Sequence, residues 1–234
     1  MIKLFGFDQA FGVIDASPFV VKVNLFLRMV NIDFKVENHF SNLKKSPKNK
    51  LPFIQDEGKK IGDSHFILSY LTQKYQLQLD NFLTEEQKAQ ALLYAKAVEE
   101  SLYWCLVYSR WAKDDTWRVV KDAFFSQMPV PFKWFIPPLI RKSVIKNLHG
   151  QGIGRHSETE VLTIADEHFS ALSTLLGDKD YFFGPQPSSF DAVAYAMLCQ
   201  FISVEYFNNF NHQAKKHQNL VRYCQRIEDK YYSE

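Results

Sequence analysis

Ser46-Pro47-Lys48-Asn49-Lys50-Leu51-Pro52-Phe53-Ile54, followed by Gly62-Asp63-Ser64, is the stretch on which the reading of the fold turns. A polar loop rich in Lys, Ser and Asn ends at Pro52, and Phe53-Ile54-Gln55 then forms a short apolar run. Asp56-Glu57-Gly58-Lys59 supplies turn residues before Lys60-Ile61, which predicts a β-hairpin. Asp63-Ser64 opens a helix to about Gln76, because short oxygen-bearing side chains satisfy the free N–H groups of a first turn. Upstream, Ile2 to Phe7 reads as a buried strand ended by Asp8. A loop over residues 8–16 leads to a helix in which Val20, Val23, Leu27 and Val30 recur at helical spacing. Ile32-Asp33-Phe34-Lys35-Val36-Glu37 alternates apolar and charged residues, the pattern of a half-buried strand.

The resulting order, β-α-β-loop-β-β-α, is that of a thioredoxin-like α/β domain over residues 1–78. Residues 79–84 read as a linker, after which strand signals nearly vanish. Thr84-Glu85-Glu86-Gln87 matches a capping box and opens a long helix to about Lys113. Val161, Ala165, Phe169, Leu172 and Leu176 mark one amphipathic helix; Phe190, Val193, Met197, Phe201 and Val204 mark a second; Leu220, Cys224, Ile227 and Tyr231 mark a third. Residues 85–234 therefore read as an all-α domain.

Composition narrows the function classes. The chain has 234 residues, 46% of them hydrophobic, which suffices for a core without disulfides or metal. A net charge of +2 lacks the clustered cations that a nucleic-acid surface needs. Cys105, Cys199 and Cys224 are odd in number and without CxxC spacing, so a reducing, cytoplasmic setting is expected. No histidine pattern supports a metal site. Gly150, Gly152 and Gly154 follow no strand, so they read as a turn rather than a phosphate cradle.

Three short elements carry chemistry. Ser17 precedes the first helix, where free N–H groups and the positive end of the dipole favour an anion, and its hydroxyl could donate to a bound thiolate. Serine is equally a preferred N-cap at that position. The Leu51-Pro52 bond, if cis, would leave the Leu51 backbone open to an extended peptide; the plain alternative is a trans proline starting an edge strand. Asp63 could pair with an ammonium group and Ser64 could hold a carboxylate, or the two could serve only to cap a helix. The first domain has no cysteine, which disfavours thiol–disulfide exchange from a resident thiol.

Taken in order, these elements resemble the glutathione transferase superfamily. Ser46-Pro47-Lys48-Asn49-Lys50-Leu51-Pro52 is similar to the family's Asn-Pro-x-x-Lys-Val-Pro, and Ser188-Ser189-Phe190-Asp191 to its Ser/Thr-x-x-Asp capping box, although Pro187 replaces the usual apolar staple. The resemblance implies glutathione as co-substrate: Ser17 as thiolate stabiliser, Lys50 toward the glycyl carboxylate, Leu51 and Pro52 along the cysteinyl backbone, Asp63 and Ser64 at the γ-glutamyl end. It implies an acceptor pocket for a small apolar electrophile, between the loop through Phe11 and a helix carrying Tyr108 and Trp111, with ordinary core packing as the alternative for those two rings, and it suggests a two-fold homodimer. Within the superfamily, Ser17-Pro18-Phe19, Lys22, Leu27-Arg28-Met29 and Gly152-Ile153-Gly154-Arg155-His156-Ser157 resemble the metaxin and failed-axon-connections group, where enzymatic activity is not uniform and some members are membrane-associated. A transferase and a non-catalytic interaction module are thus both implied.

Residues 129–140 fit the resemblance least. Pro129-Val130-Pro131-Phe132-Lys133-Trp134-Phe135-Ile136-Pro137-Pro138-Leu139-Ile140 is apolar, broken by prolines and followed by Arg141 and Lys142. The expectation is a buried crossover between helices, with a membrane surface, a partner or a pocket lid as alternatives.

Overall fold

The computed structural model describes residues 1–39, 41–126 and 128–233; Glu234, the end of the expected helical domain, lies outside them. β1 (Ile2–Gly6), α1 (Pro18–Met29), β2 (Phe34–Asn38), β3 (Phe53–Asp56), β4 (Lys59–Gly62) and α3 (Ser64–Lys74) follow in the expected order, with a short helix, α2 (Asn42–Lys45), inside the expected loop. They form one sheet of order β2-β1-β3-β4, with β1 parallel to β2 and antiparallel to β3. The hairpin pairs Phe53 with Gly62 and Asp56 with Lys59, and Gly58 takes φ +83° in the turn.

The helical part comprises α4 (Glu85–Ala97), α5 (Tyr103–Trp111), α6 (Asp114–Phe125), α7 (Phe132–Gln151), α8 (Glu158–Leu176), α9 (Ser189–Ile202), α10 (Asn209–Lys215) and α11 (Gln218–Tyr231). Thr84 and Gln87 form the capping box reciprocally, Gln87 N–H to Thr84 Oγ1 at 3.1 Å and Thr84 N–H to Gln87 Oε1 at 2.9 Å. The long helix differs from expectation in two ways. It stops at Trp111, and a π turn over Val98–Leu102 separates α4 from α5. The wider turn changes the phase of the helix. α4 buries no residue, whereas Glu99, Leu102, Cys105, Leu106 and Arg110 are buried beyond it.

α1 lies between the sheet and α9, which explains why residues 20–27 are buried on every side rather than along one stripe. α9 is likewise buried from Phe190 to Ile202. Each fully buried Leu or Phe in this pair contributes about 1.5–3 kcal/mol of transfer free energy, so the α1–α9 contact dominates the union of the two regions. Asp80 accepts from Ser189 N–H at 2.7 Å and ties the chain before α4 to the start of α9. Asp191 accepts from Ser188 N–H and Oγ, both at 2.8 Å, and from Phe182 N–H at 3.0 Å.

The expectation of a buried crossover at 129–140 is overturned. α7 is a helix that carries Pro137 and Pro138 internally, and Phe132, Trp134, Phe135 and Leu139 stand exposed. Among the described residues, no helix is long and apolar enough to cross a membrane.

Candidate functional site

The site forms where β1 ends. Gly6 must be glycine: a Cβ there would meet Asp15 Oδ2 at 2.5 Å and Val20 Cγ1 at 2.8 Å. That proximity lets Asp15 close the following loop, accepting Phe7 N–H on Oδ2 and Ser17 N–H on Oδ1, both at 2.8 Å. Asp15 is 1% exposed, and burial pushes its carboxyl up from 3.8 to about 7 even though both N–H groups and Arg110 pull the other way.

The helical domain clamps the loop from outside. Arg110 on α5 donates to Ala16 O at 2.7 Å, to Gln200 Oε1 at 2.7 Å and to Tyr206 OH at 2.9 Å. Gln200 on α9 donates to Asp15 O at 3.0 Å, and Glu205 N–H to Phe11 O at 3.0 Å. The Arg110 guanidinium also covers the Phe11 ring at 4.8 Å. A buried cation thus bonds the carbonyl immediately before Ser17.

Ser17 occupies the N-cap position of α1 with extended backbone (φ −94°, ψ 119°), yet its side chain makes no capping hydrogen bond. Val20 and Val21 N–H bond the Ser17 carbonyl at 3.1 Å each, and Pro18 has no N–H to satisfy. The half-buried hydroxyl is therefore not consumed by the helix it precedes.

The other sequence-predicted residues sit at the same end of the sheet. Phe5 pairs with Phe53, which sets Leu51 and Pro52 beside the end of β1. The Leu51–Pro52 bond is cis, and the ladder begins only at Phe53. Asp63 N–H bonds Pro52 O at 3.3 Å, drawing the start of α3 against the proline. Asp63 holds φ +81°, an unfavourable conformation for a residue with a Cβ and the kind of local strain found where a side chain is aimed at a ligand. Its Oδ1 caps His65 N–H at 3.0 Å, and among the described residues Oδ2 has Lys48 alone, at 3.9 Å. Lys50 is exposed on the approach.

Ser64 is buried, and its hydroxyl accepts from Lys22 Nζ at 3.2 Å, so it keeps its proton to donate. Lys22 in turn pairs with Glu99 at 2.6 Å, their side chains 4% and 8% exposed. The π turn supplies Glu99, linking the helical domain to both α1 and α3. Sequence reasoning assigned Asp15, Arg110, Gln200 and Glu99 no part in the site. The one legible sign was Arg110, a charge on the same stripe as Leu102 and Leu106.

The acceptor residues divide. Phe11 is 8% exposed and packs edge-on against Phe124 and Tyr206. Trp111 stacks on Phe124 at 6.3 Å and lies 5.3 Å from Trp117. These rings, with Val13, Val120, Phe125 and Val204, make a second small core under the loop. Tyr108 faces away, toward Phe210 and the Lys113–Glu158 pair. A cavity of about 610 Å³ lies elsewhere, between α1, α3, α4 and α9, lined by Lys22, His65, Thr72, Leu92, Lys96 and Glu99 among others. All three cysteines are buried, and burial pushes the Cys105 thiol up to about 12 and those of Cys199 and Cys224 upward as well, which removes them as nucleophiles.

The raised Asp15 carboxyl has a measurable consequence. Its pKa is higher folded than unfolded, so its contribution is full below the unfolded value and is lost as pH rises through about 7. The whole shift corresponds to roughly 4 kcal/mol at 1.36 kcal/mol per unit. Asp15→Asn cannot titrate and keeps one acceptor oxygen for two N–H groups, so it should be less stable than wild type in acid but lose less stability on the way to about pH 8. Denaturant melts across that range give the answer; parallel profiles for the two proteins would show that Asp15 stays ionised.

A four-stranded thioredoxin-like sheet, a serine at the first helix, a cis-proline turn and a docked all-helical domain define the glutathione transferase fold. Solved structures agree: the beta-etherase LigF from Sphingobium sp. strain SYK-6 superimposes with TM-score 0.64 at 18% identity, covering 97% of this chain and 94% of that one. Human glutathione-S-transferase T1-1 does so with TM-score 0.61 at 17% identity, covering 98% and 83%. The glutathione S-transferase N-terminal domain model matches residues 18–117 and the C-terminal domain model residues 165–227. The isoprene-epoxide glutathione S-transferase of Rhodococcus sp. (strain AD45) is 34% identical, covering 99% of both chains. The chain belongs to the glutathione S-transferase family. It is also 29% identical to Failed axon connections of Drosophila melanogaster, over 98% of this chain and 58% of that protein, and 28% identical to human metaxin-2, over 91% and 81%.

Proposed function

We propose that this protein binds glutathione at the end of the sheet and uses its thiolate against a small apolar electrophile. The observation that carries the reading is the Ser17 hydroxyl, placed at the α1 N-terminus and not spent on capping it. Leu51 offers backbone groups to the cysteinyl residue. Asp63 Oδ2 and the Ser64 hydroxyl meet the γ-glutamyl ammonium and carboxylate, with Lys22 adding positive charge behind Ser64. Lys50 reaches the glycyl carboxylate from the rim. The similar Rhodococcus enzyme carries an epoxide in its name, and a small epoxide is the electrophile to try first. The sulfur would attack a ring carbon, forming C–S and breaking C–O, while the alkoxide takes a proton from water.

Calorimetry with glutathione is the direct test. Heat of binding, together with a rise in melting temperature at millimolar ligand, is the expected result. Absence of both effects at that concentration refutes the reading. A two-fold dimer in a cytoplasmic setting belongs to the same proposal, and sedimentation addresses the first part. One observation favours a second reading, a non-catalytic module: Phe11 and Trp111 are packed against α6 rather than lining an open pocket. Glutathione binding without turnover of any epoxide supports that alternative.

A further inference from the structure

We propose that the N-terminal half of α7 is a membrane-surface helix that seats on an anionic lipid bilayer. Val130, Phe132, Trp134, Phe135 and Leu139 are 62%, 57%, 66%, 65% and 66% exposed. Single exposed apolar residues are ordinary on a protein surface, but a run of this density marks an interaction site. The opposite side of the helix is already engaged. Pro137 and Leu148 are buried, and Arg141 bonds Trp111 O at 2.9 Å, Ala112 O at 3.0 Å and Asp114 at 2.7 Å, fixing α7 to α5 and α6.

Charge selects the occupant. α7 contains Lys133, Arg141, Lys142, Lys146 and no Asp or Glu. Arg141 is neutralised by Asp114, whereas Lys142 and Lys146 are exposed and have no acidic partner among the described residues. At 100° per residue, Phe135, Leu139, Lys142 and Lys146 fall on one outward line, so the apolar half leads and the basic half follows along the same face. Phe132 to Leu139 spans about 10 Å along the axis, so with the axis in the interface this apolar stretch faces the bilayer, while the long side chains of Lys142 and Lys146, continuing the same line, reach up to the phosphates.

The prolines argue for shallow seating. Pro138 has no N–H, so the carbonyl of Trp134 loses its i+4 donor on the exposed flank of the helix, where water or headgroups can supply one. That chemistry fits the headgroup boundary and not the hydrocarbon centre. The indole of Trp134 suits the same boundary, apolar in its ring and able to donate from its N–H.

The test is flotation of the full chain with phosphatidylcholine vesicles that do or do not contain phosphatidylserine. Binding should require phosphatidylserine and weaken as salt rises. Trp134→Ser with Phe135→Ser should abolish it, and each of Lys142→Glu and Lys146→Glu should weaken it about fivefold or more. The lysine variants alter only exposed side chains, so they keep the test valid should the aromatic pair affect folding, and an unchanged circular dichroism spectrum confirms it. No binding by wild type, or equal binding to uncharged vesicles, overturns the proposal. Concentration-dependent self-association that is lost in Trp134→Ser, with no vesicle binding, overturns it too and assigns the face to a second copy of the chain.

Discussion

Arg110→Met should lower stability by about 3–5 kcal/mol, the range for removing one partner from a buried charged network. Three acceptors lose their donor at once: Ala16 O, Gln200 Oε1 and Tyr206 OH. Two of them cannot turn to solvent, since Gln200 is fully buried and Ala16 is 3% exposed, whereas Tyr206 is half-buried. The substitution also strips Asp15 of a nearby cation, so the carboxyl should rise beyond its value of about 7. Arg110→Lys should recover only part of the loss, because one ammonium cannot span acceptors that a planar guanidinium reaches together. Chemical denaturation measures the first effect and the pH profile of stability the second. A Met variant within about 0.5 kcal/mol of wild type, the scatter of an ordinary surface change, would mean that the loop before Ser17 does not depend on this clamp.

Ser17→Ala should cost little stability and much chemistry. The hydroxyl makes no capping bond, so the usual penalty of about 1 kcal/mol for losing an N-cap should be absent. Glutathione affinity should stay within a few-fold, because in the proposed binding mode the peptide is held chiefly by groups around Leu51, Asp63 and Ser64. The ionisation of the bound thiol is what changes. A donor aimed at sulfur stabilises the thiolate over the thiol, so the bound pKa should lie below the ordinary thiol value of about 8.5 in wild type and climb back toward it in the variant. Turnover should fall by roughly 100-fold, the scale of removing one preorganised donor from a developing or resident anion. Ultraviolet titration of thiolate in the complex reads the pKa directly. If wild type ionises glutathione no more easily than water does, Ser17 has no catalytic part even where binding succeeds, which separates this outcome from failure of the binding site.

The two predictions differ in how visible their residues are in the chain. Ser17-Pro18, Leu51-Pro52 and Asp63-Ser64 stand out because each acts locally: a helix start, a turn before a strand, a capped first turn. Their order was enough to imply the fold, and the turn at Gly58 and the Thr84 capping box followed from spacings of two to four residues; the alternation over residues 32–37 marked a strand, but its burial does not alternate, since Val36 is exposed and Glu37 half-buried. Arg110 meets Ala16 across 94 positions, Gln200 meets Asp15 across 185, and Lys22 meets Glu99 across 77. No periodicity encodes such pairings.

The β-α-β-loop-β-β-α order, the apolar positions of α8, α9 and α11 and the place of the candidate serine were legible in the chain, while α2, α6, α7 and α10 were not, since hydrogen bonding within a turn and the period of side chains along a helix or strand depend on neighbours in the chain. Contacts between distant segments bury Asp15, pack Phe11 and Trp111 on α6, bring Glu99 of the π turn to Lys22, and leave the apolar start of α7 uncovered. The reason is physical: hydropathy reports how much a segment gains by leaving water, while docking of the helical domain decides which apolar surfaces find cover and which charges find partners. The 129–140 stretch shows the difference, because its composition is that of a core and its surroundings leave it on the surface.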